Sequence, residues 1–351
     1  MDLESLPNEI TTQIFNTLPT LDSVLALAST SKHFHRLYHG SQRLPILATV
    51  VEAEFGPVDD IVRICTHNAS QPAYHHLTVP ISDALIQQMV KLGRVARKWE
   101  EIYPFKKWKK AYADRRMLTP EERWTMRRAL YRLWLYDKAF HTLSYTRTQR
   151  RIPQVVTERA ALLHNFSTIE LAEMFDVYLV LRDAVANNVC PSNGRIRQKL
   201  QRRFPDPTRQ YPFSIHLNYT PPAPSWCASG SDGWINNTIL QTAKYGCHLQ
   251  PSRFHDPGSE GWGDEVNHYY VVEDMMKLDP AQILFLKESR MLNSHTEMWI
   301  KMQVDLGDMW FANNGETFVE TLWHVVEQRG DQADVLKAAV EVMDLGVVVE
   351  T

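Results

Sequence analysis

Apolar residues recur at helical spacing along most of this chain, and the pattern begins almost at once. Leu6, Ile10, Ile14 and Leu18 stand every fourth residue with Phe15 beside them, the stripe of one amphipathic helix. Pro7 fits the first turn of that helix, where its missing N–H costs nothing, and Pro19 stops it. Leu21, Val24, Leu25, Leu27 and Ala28 make a second apolar face, and Phe34, Leu37 and Tyr38 a third, ended by Gly40. Three short helices follow from 6 to 40, with too little apolar surface for an independent core.

Beyond Arg43 the period stays helical, predicting helices over 44–55, 58–67 and 81–101. Local start signals are clearest at Thr119-Pro120-Glu121-Glu122, at the capping box Ser167-Thr168-Ile169-Glu170 flanked by Phe166 and Leu171, and at Asp279-Pro280-Ala281-Gln282 between Leu278 and Ile283. Further helices are expected near 234–245, 264–277, 280–288, 316–329 and 332–345. The stretch from Phe204 to Gly263 breaks the pattern with eight prolines, six glycines and the tryptophans Trp226, Trp234 and Trp262, and reads as a long ordered loop on the helical body. The fold class expected is all-α: a three-helix module over 1–42, joined to a larger irregular helical body over 43–351 that carries the Pro/Gly/Trp-rich segment. No internal repeat of the solenoid or propeller kind is visible.

Composition narrows the function classes. The 351 residues are 44% hydrophobic, 23% charged and 10% aromatic, as in ordinary globular chains. The acidic start Met1-Asp2-Leu3-Glu4-Ser5 lacks a secretory pattern, and no apolar run approaches the roughly 20 residues that span a bilayer. Cys65, Cys190, Cys227 and Cys247 are too scattered for a disulfide framework. A soluble cytoplasmic or nuclear protein with reduced thiols and no membrane contact is expected.

The order Leu6-Pro7-Asn8-Glu9-Ile10, Ile14-Phe15, Leu18, Leu21 and the Ser31-Lys32-His33-Phe34 turn resembles the F-box. The resemblance covers about forty residues, with Phe34-His35 where many F-boxes carry a Trp. It implies three helices that interlock with a Skp-type adaptor, which bridges to cullin and RING subunits. The implied adaptor contacts are Leu6, Pro7, Ile10, Ile14, Phe15, Leu18, Leu21, Leu25, Leu27, Phe34 and Leu37. A module with more apolar face than it can bury alone agrees with that implication. The remainder looks like filamentous-fungal F-box proteins through Gly261-Trp262-Gly263-Asp264-Glu265, Tyr269-Tyr270 and Leu278 to Gln282. That likeness carries no assigned activity.

Other constellations are weaker. Net charge is −3, yet Lys91 to Arg151 holds eighteen Lys and Arg against six Asp and Glu. Lys106, Lys107, Lys109, Lys110, Arg115, Arg116, Arg127, Arg128 and Arg132 interleave there with Trp99, Tyr103, Trp108, Trp124 and Trp134, a composition that can bind phosphates and stack bases. A pI near 6.5 argues instead for solvated basic helix faces, and against a nucleic-acid partner. Cys247-His248, His255-Asp256 and His268 lack paired zinc spacing, and His75-His76 point apart, so no metal is expected. Asp264-Glu265 and Glu273-Asp274 read as caps and surface charge rather than acid–base pairs. No nucleophile elbow, phosphate loop or dinucleotide fingerprint is present, so neither enzyme chemistry nor a cofactor is expected.

The reading is a non-catalytic adaptor: the substrate-recognition subunit of a Skp–cullin–F-box ubiquitin ligase, with an unknown protein substrate. Trp226, Trp234 and Trp262 are its candidate substrate contacts, and the Lys106 to Arg132 stretch replaces them if the substrate is acidic or phosphorylated. A Skp-associated scaffold without ligase function, and a small-molecule binding protein or enzyme using the aromatic-rich body, remain the alternatives.

Overall fold

The computed structural model describes residues 6–73, 79–142, 144–189, 261–262, 266–267, 272–273, 275–288 and 316–349, and is mainly helical. The expected short N-terminal helices form as α1 (Asn8–Asn16), α2 (Leu21–Thr30) and α3 (Lys32–Tyr38), followed by α4 (Arg43–Phe55), α5 (Val58–Cys65) and α6 (Asp83–Lys107). α7 (Pro120–Phe140), α8 (Pro153–His164), α9 (Thr168–Ala184), α10 (Pro280–Glu288), α11 (Phe318–Gln328) and α12 (Ala333–Glu341) complete the order. The helix expected over 264–277 gives way at Val266–Asn267 to a two-residue strand, β2, antiparallel to β1 (Gly261–Trp262). The helix expected over 234–245 lies outside the described residues.

All three start signals act as local chemistry predicts. Thr119 Oγ1 accepts from the Glu122 N–H at 3.3 Å while the Glu122 carboxylate accepts from the Thr119 N–H at 2.7 Å. Ser167 and Glu170 form the same reciprocal box, and Asp279 exchanges bonds with Gln282 at 2.8 and 3.0 Å.

The chain divides into two compact units, residues 1–135 with 347–351, and residues 136–346. The division falls within α7. Within the first unit α1, α2 and α3 each pack on α4, whose Ile46, Leu47, Val50, Val51 and Phe55 are buried.

α4 and α6 run side by side in the same direction. Arg43 and Asp83, at their starts, pair at 3.1 Å, and Glu54 meets Arg97 at 2.7 Å further along. Glu54 is the junction of the unit: its carboxylate also accepts from the Leu21 N–H at 2.8 Å at the start of α2, and its carbonyl accepts from Arg127 on α7 at 2.8 Å. Tyr131 donates to the Phe55 carbonyl at 2.9 Å, and buried Asp60 pairs with Arg63 at 3.0 Å and with Arg132 at 3.3 Å. Arg127 and Arg132 of the basic stretch are thus turned inward onto α4, α5 and α6 rather than solvated as expected.

Close approach of α4 to α6 depends on Gly93, because a Cβ there would overlap the fully buried Phe55 ring. Helix propensity alone would make Gly93→Ala stabilising by about 1 kcal/mol. The overlap reverses the sign, since Phe55 would have to leave its rotamer in a filled core. A net loss of roughly 2 kcal/mol is expected in denaturant unfolding, and an unchanged or raised midpoint would contradict this packing.

In the second unit α9 is buried on nearly every side from Leu171 to Leu181, with Glu173 and Asp176 among the buried residues. α10, α11 and α12 pack on it, and α8 packs on α11. Arg329, just past α11, donates to the carbonyls of His164 and Phe166 at 3.2 and 2.6 Å and so holds the α8–α9 turn. Gly346 has φ of 129° and sits against Asp176, leaving no room for a Cβ.

Candidate adaptor-binding face

The local chemistry of the first forty residues explains their shape. Thr20 accepts from the Ser23 N–H at 3.2 Å and starts α2, while Ser31 accepts from the Phe34 N–H at 3.4 Å and starts α3. The Ser-Lys-x-Phe turn is thus an N-cap followed by an aromatic anchor. Phe34 meets Phe15 edge-on with centroids 6.3 Å apart, and Tyr38 stacks on Phe15 at the same distance. Arg43 lies over the Tyr38 ring at 5.8 Å and carries that aromatic cluster into α4.

Burial separates the eleven expected contacts into two kinds. Phe15 and Phe34 are turned inward and belong to the core of the unit. Apolar periodicity marks a buried face without saying what buries it. Ile10 and Leu25 remain 42% and 51% exposed, Pro7 is exposed, and Leu6, Ile14, Leu18, Leu21, Leu27 and Leu37 are half-buried. Covering the open parts of Ile10 and Leu25 would contribute about 1 kcal/mol each. Tyr38, read as part of the third apolar face, is buried with them, and Thr11, whose hydroxyl bonds the Pro7 carbonyl at 3.1 Å, is a core member that the apolar pattern missed. An open groove lined by Asn8, Glu9, Thr12, Leu37 and Gln42 lies between α1 and the end of α3.

Trp226 and Trp234 lie outside the described residues, as does the side chain of Trp262. The same holds for Cys247, His248, His255, Asp256, His268, Asp264, Glu265, Asp274, Tyr269, Tyr270, His75 and His76. Among the described residues no group of His, Cys, Asp and Glu could hold a metal ion, and no helix is long and apolar enough to cross a membrane.

Sequence reading also missed a buried polar cluster in the second unit. His141 and Asp137 are enclosed, with Nδ1 3.2 Å from Oδ1, a distance short enough for an ion pair but misdirected for a hydrogen bond. Arg159 is fully buried and gives one hydrogen bond, to the Arg150 carbonyl at 2.9 Å. Tyr136 shares its hydroxyl with Thr317 and Thr321 at 3.0 and 2.9 Å. Burial raises the Asp137 carboxyl well above its ordinary range, with the Asp279 charge adding to it, and burial raises Glu316 despite the bond from the Val319 N–H.

Burial lowers His141 to about 4, against the pull of Glu316 and with the push of Lys277, Arg150 and Arg159. A depressed histidine contributes stability that is complete above its unfolded value near 6.5 and is lost as pH falls toward 4. Asp137 and Glu316, being raised, lose their contribution in the opposite direction, as pH rises through their folded values. His141→Phe should therefore remove an acid-induced loss of up to roughly 3 kcal/mol between pH 6.5 and 4. Thermal unfolding of both proteins across that range checks it, and parallel pH profiles would contradict the assignment.

Residues 3–37 match the family model of the F-box domain. No curated protein and no solved structure was found to match the chain. F-box domains generally bind Skp-type adaptors. The three helices, the Ser31-capped turn and the row of uncovered aliphatic side chains all fall within or beside that match. This chain is an F-box protein, with its F-box at residues 3–37.

Proposed function

We propose that the protein is the substrate-recognition subunit of a Skp–cullin–F-box ubiquitin ligase, acting in the cytoplasm or nucleus. The observation that carries this reading is the uncovered aliphatic row on the F-box, Ile10 and Leu25 foremost, which α4 leaves open after completing the rest of the F-box core. A Skp-type adaptor covers Leu6, Pro7, Ile10, Ile14, Leu18, Leu21, Leu25, Leu27 and Leu37, while Phe15 and Phe34 hold those residues in place from within.

The protein contributes proximity and no bond-making. The F-box fixes one end to cullin and RING subunits, the body holds a substrate, and the concentration of substrate lysines near the charged conjugating enzyme rises. Packing of α1 to α3 on α4, and of α4 on α6, supports this role, because a rigid arm presents cargo at a fixed place. The chemistry belongs to the partner subunits.

Co-expression with a Skp adaptor and a cullin tests the reading. A complex retaining all three proteins through size exclusion is the expected result. A complex with the adaptor that excludes the cullin would replace ligase function with a scaffold role.

A further inference from the structure

We propose that Glu54 is a positioning residue for adaptor binding: its carboxylate, held by Arg97, sets the start of α2 and through it the place of Leu25. This inference rests on the adaptor contact proposed above and adds to it two residues that lie beyond the F-box match at residues 3–37.

α2 has a small apolar grip on the unit. Of its ten residues only Val24 and Ala28 are buried, while Leu21 and Leu27 are half-buried and Leu25 is 51% exposed. One valine and one alanine interdigitate too little to fix how a helix is turned and tilted against α3 and α4. Polar anchors at the helix start supply the rest. Thr20 accepts from the Ser23 N–H at 3.2 Å, a local cap that travels with α2 wherever it goes. The Leu21 N–H, which has no partner inside the helix, donates to Glu54 Oε2 at 2.8 Å, and this bond ties α2 to α4 across 33 residues of sequence.

Glu54 is itself fixed from two sides. Its Oε1 accepts from the Arg97 guanidinium at 2.7 Å, so each carboxylate oxygen has its own donor and the group cannot rotate without losing one. The Glu54 carbonyl accepts from Arg127 at 2.8 Å and the Phe55 carbonyl from Tyr131 at 2.9 Å, which holds the last turn of α4. The Glu54 side chain is 10% exposed and that of Arg97 49%, so the bond to α2 is shielded while its outer support is open to substitution. A negative charge at the start of α2 also favours the helix dipole. Leu25 stays half open in the free chain with or without this anchor. What the anchor fixes is where Leu25 stands when a partner arrives, so that α2 is ordered on folding and not on binding.

Double-mutant cycles on the full chain, read by titration calorimetry with a purified Skp-type adaptor, test the assignment. Leu25→Ala is expected to weaken binding about fivefold and Glu54→Ala about tenfold. Together they should weaken it by no more than about 20-fold, because a misplaced Leu25 has little left to contribute, whereas Glu54→Ala with Ile10→Ala on α1 should give the full product of its two effects. A side chain that merely stabilised the unit would weaken every contact alike and give full products in both cycles. Glu54→Gln, which keeps an acceptor for the Leu21 N–H, should recover most of the affinity. Arg97→Ala, at an exposed position, should weaken binding about threefold and bring the effect of Leu25→Ala below about threefold, which decides the matter even if Glu54→Ala does not fold. Full products in the Leu25 cycles, or a Glu54→Gln protein as weak as Glu54→Ala, would overturn the proposal and leave the adaptor contact standing. A wild-type chain that fails to bind the adaptor, or one indifferent to Leu25→Ala, would overturn the adaptor reading of α2 and this proposal with it.

Discussion

Ile10→Asp combined with Leu25→Asp is expected to weaken binding to a Skp-type adaptor by at least about 100-fold, with the unfolding midpoint of the free chain unchanged. Both side chains are about half exposed, so the free protein loses little when they become polar. In the complex each substitution removes about 1 kcal/mol of apolar burial and leaves a carboxylate to be desolvated without a partner, a further cost of several kcal/mol in a dry interface. Two such losses exceed the 2.8 kcal/mol or so that 100-fold requires. Titration calorimetry with purified adaptor reads the affinity, and circular dichroism confirms that the variant is folded. Binding within tenfold of wild type would place the adaptor elsewhere.

Phe15→Ala should act in the opposite way, by destabilising the first unit about 3–5 kcal/mol. Its ring is fully enclosed between Phe34 and Tyr38, and α4 closes the cavity that its removal would leave. Adaptor binding should weaken only as far as the F-box unfolds, and should recover in part when adaptor is in excess, because a partner that binds the folded form stabilises it by mass action. A folded Phe15→Ala protein of normal stability that fails to bind would make Phe15 a direct contact after all.

The contrast between these two substitutions shows what was readable from sequence. Helix starts at Thr119, Ser167 and Asp279 were legible because a cap needs only residues three apart. The F-box was legible because its order of Leu-Pro, Ile-Phe and Ser-Lys-x-Phe is set by its own caps and aromatic cluster. Which of its apolar residues face outward was not legible, since Phe15 and Ile10 share one amphipathic helix and packing against α3 and α4 decides which is covered. Glu54, joining α2, α6 and α7, and Gly93, admitting Phe55, depend on neighbours 33 to 73 residues away and leave no local trace. The His141–Asp137 pair was missed for the same reason, as its i to i+4 spacing looks like any polar pair until burial is known. Arg115 lies inside the basic stretch already visible in sequence, but its place over the rings of Phe105 and Tyr112, 5.1 and 5.0 Å from their centroids, comes from chain folding at the end of α6.

One contact decides the assignment, that between the F-box and a Skp-type adaptor. Titration of the purified full chain with purified adaptor should give one-to-one binding, submicromolar and with a negative heat-capacity change, the mark of apolar surface leaving water. No detectable heat and no co-elution at tens of micromolar would contradict it, and would make α1 to α3 an intramolecular cap on α4 and nothing more.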